Sequence, residues 1–143
     1  MRILLDTSVL SEGLRRKKNN LYSTNIFLYH LINNEEILCI TGLILQETFS
    51  SITNVKLYNQ IKEILLKFSY IEPSKEDYLF ASEIRNLLKH KGVTTNTVDV
   101  LIASLSIRYN LPVATYDKDF DHIAKYTQLK VLKFEDYIKG IKK

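Results

Sequence analysis

Ile3-Leu4-Leu5-Asp6-Thr7-Ser8 reads as a short apolar strand that ends on a carboxylate and passes straight into a helix. Consecutive apolar residues without polar alternation mark a strand covered on both faces, as in a parallel sheet. Val113-Ala114-Thr115-Tyr116-Asp117 repeats the arrangement near the other end of the chain. Residues 37–40, 69–71 and 129–132 supply the remaining strand candidates.

Helical periods fill the intervals. Leu57, Ile61, Ile64, Leu65 and Phe68 form one apolar stripe, and Phe80, Ile84, Leu87 and Leu88 form another that Lys91-Gly92 ends. Ser74 with Asp77 three residues on has the form of a capping box, and Pro73 fixes the entry. An earlier helix is expected over residues 21–32. Strands alternating with helices predict an α/β fold of three layers, α/β/α, around a central, mainly parallel sheet of four to five strands. Four Gly and two Pro in 143 residues leave no room for a linker, so one domain spanning residues 1–143 is expected.

A chain of this length buries about 68–70% of its extended surface, and at 45% hydrophobic it needs no staple to hold a core. Cys39 is the single cysteine and sits in an apolar strand, which suits a reducing cytoplasm and excludes an internal disulfide. No apolar run approaches the ~18 residues of a membrane span, and Asp6 interrupts the first one too early for a signal peptide. The net charge of +4 permits a polyanionic partner without naming one.

Four acids occupy passages from strand to helix: Asp6, Glu47, Asp99 and Asp117. Chemistry in a parallel α/β sheet collects at the carboxyl ends of the strands, so residues distant in sequence can converge there. Several carboxylates together repel unless a cation joins them, and oxygen donors select a hard divalent ion, Mg²⁺ or Mn²⁺. Each acid also has a plainer role. Asp6 can cap the first helix, unless Thr7 or Ser8 does so. Glu47 lies on the helix face of Leu43 and Ile44, where burial demands either a metal or a basic partner. Asp99 stands in the first turn after Thr95, Asn96 or Thr97, where the helix dipole alone favours an anion. Asp117 comes directly off a strand, with Asp119 as a peripheral fifth acid and Asp121 facing solvent. Thr115, two residues before Asp117, projects to the same side and offers a hydroxyl.

Other chemistries lack their elements. His30, His90 and His122 show no ligand spacing, and no glycine-rich phosphate loop is present. A phosphoacceptor receiver domain would need paired acids after the first strand, where Thr7 and Ser8 stand instead.

Leu4-Leu5-Asp6-Thr7-Ser8-Val9-Leu10, Gln46-Glu47 and the block from Asp99 to Phe120 together resemble the PIN domain family, and within it the VapC-type toxin ribonucleases of toxin–antitoxin pairs. The resemblance spans nearly the whole chain, and the spacing from Asp99 to Asp117 fits it. It implies that Asp6, Glu47, Asp99 and Asp117 hold the metal and that Thr115 is the hydroxyl residue preceding the last acid. The stretch after Glu47, Thr48-Phe49-Ser50-Ser51, departs from many toxin members.

Residue chemistry and resemblance lead to one reaction, metal-dependent hydrolysis of RNA phosphodiester bonds. The resemblance adds a cognate antitoxin and a homodimer. Arg15-Arg16-Lys17-Lys18 offers phosphate contacts, or simply a solvated basic loop. The rival reading is a PIN-like module that binds RNA or supports assembly without catalysis.

Overall fold

Strand β1 (Arg2–Leu5) runs parallel to β2 (Ile37–Thr41), with Ile3 opposite Leu38, and β2 runs parallel to β3 (Ser69–Ile71), with Ile40 opposite Tyr70. Ile3, Leu4 and Leu5 are fully buried, so both faces of β1 are covered, as its unbroken apolar run requires. The computed structural model describes residues 1–15 and 26–141. Its elements are those of a three-layer α/β/α fold: one parallel sheet of five strands and, among the described residues, eight helices. The chain divides into two compact units, Met1–Glu72 and Pro73–Lys143.

The first unit holds β1 to β3 with helices α1 (Thr7–Arg15), α2 (Phe27–Asn33), α3 (Gly42–Ser50) and α4 (Val55–Leu65). Of the helix expected over residues 21–32, residues 21–25 lie outside the described residues, and the remainder forms α2. Helix α3 starts directly on the end of β2. A Cβ at Gly42, its first residue, would stand 2.9 Å from the Tyr70 hydroxyl and would push the tip of that exposed side chain aside. The apolar stripe of α4 buries Ile61 and Leu65. Phe68 falls beyond the helix, because the N–H groups of Lys67 and Phe68 bond three residues back and tighten the last turn.

The second unit begins with α5 (Lys75–His90). Ser74 caps it in a reciprocal box: its hydroxyl oxygen accepts from the Asp77 N–H, and Asp77 Oδ2 accepts from the Ser74 N–H at 2.8 Å. The buried stripe of α5 is Asp77, Ala81, Ile84 and Leu88, and Leu87 lies outside it, exposed. Asp77 is fully buried and meets Arg108 Nε of helix α6 (Thr97–Tyr109) at 2.8 Å, which ties α5 to α6. Strand β4 (Val113–Ala114) pairs in parallel with β5 (Val131–Leu132), followed by α8 (Phe134–Ile141), while α7 (Asp119–Tyr126) fills the crossover.

Both final strands are shorter than expected. The Thr115 N–H reaches Leu132 O at a stretched 3.4 Å, so the ladder fades after Ala114. At the start of β5, the Leu129 N–H bonds to the Thr127 hydroxyl instead of a neighbouring strand.

Candidate metal centre

Asp99 is the third residue of α6, placed there by a capping residue. Asn96 Oδ1 accepts from the Asp99 N–H at 2.8 Å, and Asn96 Nδ2 donates to Asp99 Oδ2 at 3.0 Å. Of the three caps allowed by the sequence, Asn96 is the one used. Asp99 is only 7% exposed, on the face shared with buried Ile102, Ala103 and Ser106. Asp117 follows the end of β4 by three residues. Its N–H donates to the hydroxyl oxygen of fully buried Thr115 at 2.9 Å, and its own Oδ1 accepts from the Asp119 N–H at 2.9 Å. Asp117 thereby makes the turn that starts α7.

Oxygens of Asp99, Asp117 and Asp119 lie within 4.8 Å of one another. Two ligand oxygens on opposite sides of a Mg²⁺ stand about 4 Å apart, so this trio fits a small divalent ion with little movement. The donor chemistry agrees: three carboxylates, graded from buried Asp99 through half-buried Asp117 to exposed Asp119, offer hard oxygen donors with one side open to solvent. Asp119 belongs with the other two rather than at their periphery. The Asp-Lys-Asp spacing across a tight turn is the signal that pointed to it.

In the first unit, Asp6 directly follows β1 and is 6% exposed. Its Oδ2 accepts from the Ser8 hydroxyl at 2.7 Å and more distantly from the Ser8 N–H at 3.4 Å, so Asp6 caps α1 while Ser8 braces its carboxylate. The next residue, Thr7, donates its hydroxyl to Glu47 Oε1 at 2.8 Å. Glu47 is exposed, contrary to the apolar-face expectation, because α3 turns Ile44 and Thr48 inward and leaves Gln46 and Glu47 outward. Its carboxylate therefore needs no basic partner to offset burial.

The remaining candidates are quieter. Asp121 is exposed as expected and pairs with Lys133 at 3.2 Å; His122 is also exposed. Cys39 is a buried strand residue whose thiol is pushed above its ordinary range by burial, with Arg2 pulling the other way. The side chains of Arg15-Arg16-Lys17-Lys18 lie outside the described residues.

A family profile described as the PIN domain matches residues 3–126. The chain belongs to the PIN domain family. Ribonuclease VapC of Rickettsia bellii (strain RML369-C) is 30% identical to this PIN chain over 140 residues, covering 92% of the chain and 97% of that protein. Among solved structures, DNA-bound VapBC from Salmonella typhimurium is similar at a TM-score of 0.76 and 17% identity, over 94% of this PIN chain and 98% of that one. VapBC2 from Rickettsia felis, bound to a DNA fragment from its promoter, gives 0.73 and 21%, over 93% and 98%. These structures share the fold, and the VapC-type resemblance and three-layer architecture expected from the sequence are both borne out.

Proposed function

We propose that this PIN chain is an endoribonuclease that hydrolyses RNA phosphodiester bonds with Mg²⁺ or Mn²⁺, acting as the toxin of a VapBC-type pair in the cytoplasm. The observation that carries the reading is the convergence of Asp99, Asp117 and Asp119 carboxylates in a chain matched by the PIN family over residues 3–126. The relative named ribonuclease VapC supports the choice of RNA. On this reading residues 1–143 work as one nuclease domain.

Metal binding is assigned to Asp6, Glu47, Asp99 and Asp117, with Asp119 as a further oxygen donor. A divalent ion bound to such acids supplies a Lewis acid for the phosphoryl group and activates water. The chain's own residues hold the donors in place. Ser8 fixes Asp6, Thr7 fixes Glu47, and Thr115, through the Asp117 N–H, fixes the loop that carries Asp117. Thr115 is thus a positioning residue. Exposed Glu47 is suited either to binding metal or to accepting a proton from water, since it gives up little hydration in its resting state.

An unrestrained ribonuclease would damage its host, so a cognate antitoxin belongs to the proposal. Its natural means of inhibition is an Arg or Lys set against the acids, replacing the cation by a charge-assisted bond. A homodimer completes the proposed assembly.

Cleavage of structured RNA with Mg²⁺ or Mn²⁺, without metal, and with excess chelator tests the reading. Metal-dependent cleavage abolished in Asp6→Asn and Asp99→Asn is the expected result. RNA binding without cleavage, unaffected by metal or by either substitution, would establish the rival assembly-module reading instead.

A further inference from the structure

The second unit contains two helices whose third residue is a buried aspartate, and their capping residues treat it differently. In α5 the cap is Ser74, and the Asp77 carboxylate folds back to accept from the Ser74 backbone N–H at 2.8 Å and the Ser74 hydroxyl at 3.0 Å. Arg108 then neutralises Asp77 from outside the box. That carboxylate serves the helix.

In α6 the cap is Asn96, and the hydrogen bond to the Asp99 carboxylate comes from the side-chain amide, at 3.0 Å. The same side chain presents its oxygen to the Asp99 N–H at 2.8 Å, which fixes the amide's orientation, because an N–H must face the acceptor end. Ser, Thr or Asp would cap the helix equally well. Ser74 accepts and donates through a single hydroxyl oxygen, whereas Asn96 separates the backbone acceptor and an uncharged donor onto two atoms of one rigid plane. Asn96 Nδ2 thus holds one Asp99 carboxylate oxygen, and the Asp99 carboxylate lies within 4.8 Å of ligand oxygens of Asp117 and Asp119.

We propose that Asn96 is a positioning residue for the metal-binding acid Asp99: its amide keeps the carboxylate from closing a capping box and directs it to the cation. The proposal rests on the metal-dependent reading above. It makes the identity of the cap a determinant of metal affinity as well as of helix stability.

Asn96→Ser separates the two roles, since serine keeps the cap and invites the box seen at Ser74. Mn²⁺ binding to the full chain, measured by calorimetry without RNA, should weaken by about tenfold or more, as for loss of other residues that orient metal ligands. Helix content and melting temperature in chelator should stay at the wild-type level. Asn96→Gly, which also tolerates the capping position but carries no amide, should weaken Mn²⁺ to a similar degree and provides the second variant if the serine variant does not fold. In cleavage assays the change should fall on the metal concentration for half-maximal rate, with the rate at saturating Mn²⁺ largely retained. Wild-type Mn²⁺ affinity in either folded variant would overturn the inference while leaving the nuclease reading intact. A wild-type chain that binds no Mn²⁺ would overturn both.

Discussion

Asp99→Asn should stabilise the metal-free protein while destroying its response to metal. The oxygens of Asp99, Asp117 and Asp119 lie within 4.8 Å of one another, where two unit charges repel by about 0.9 kcal/mol even at the dielectric of water. Neutralising Asp99 removes two such pairs, a gain of about 1.7 kcal/mol at that dielectric. Against it stands the loss of a favourable charge in the first turn of α6, about 0.3–1 kcal/mol. Asparagine keeps the shape and still accepts from Asn96 Nδ2, so the packing cost is small. The net effect is about 1 kcal/mol of added stability in chelator, or roughly 2–4 °C in melting temperature for a protein of this size. Saturating Mn²⁺ reverses the order: a ligand at about 100 times its dissociation constant adds about 2.7 kcal/mol to the wild type and little to the variant. Thermal unfolding of both proteins, with EDTA and with Mn²⁺, reads all four values. A variant less stable than wild type in EDTA, together with equal Mn²⁺ responses, would refute the idea that these carboxylates repel and share a cation.

Three other substitutions probe separate parts of the account. Arg108→Met removes the partner of fully buried Asp77 and should cost about 2 kcal/mol in urea unfolding, below the 3–5 kcal/mol typical of buried pairs because the Arg108 side chain is itself 41% exposed. Thr7→Val removes the donor to exposed Glu47; stability should change by under about 1 kcal/mol while RNA cleavage falls about tenfold, and an unchanged rate would remove Glu47 from the proposed machinery. Cys39 titrates above its ordinary range because burial disfavours the thiolate. The folded chain therefore retains this proton where the unfolded chain loses it. The resulting stabilisation is complete below the unfolded thiol's pKa of about 8.5 and is lost as pH rises through the folded value. Cys39→Ala should flatten that alkaline decline, and alkylation of native Cys39 near neutral pH should proceed only through unfolding.

The fold was legible because short, wholly apolar runs such as Ile3-Leu4-Leu5 have one stable setting, between two helical layers, and because Ser74 and Asp77 mark a helix start unambiguously. The strand ends were less legible, since one hydroxyl, that of Thr127, takes the N–H that would have begun β5 earlier. Within the candidate centre, Asp99 and Asp117 could be chosen from their place after a cap and a strand. Glu47 was placed on the wrong side of its helix: Leu43 and Ile44 suggest one phase, but the helix buries Ile44 with Thr48, whose polar side chain hides that stripe from a hydrophobic reading. The double grip of Asn96 had no sequence signature at all, because Ser, Thr, Asp and Asn look alike as caps until the side-chain amide is seen bonded to the carboxylate.

Anomalous diffraction from crystals soaked in Mn²⁺ tests the central claim most directly. A peak within about 2.0–2.3 Å of carboxylate oxygens from both Asp99 and Asp117, absent in Asp99→Asn, is the predicted result. No peak at those oxygens, at a Mn²⁺ concentration that supports RNA cleavage, would contradict it.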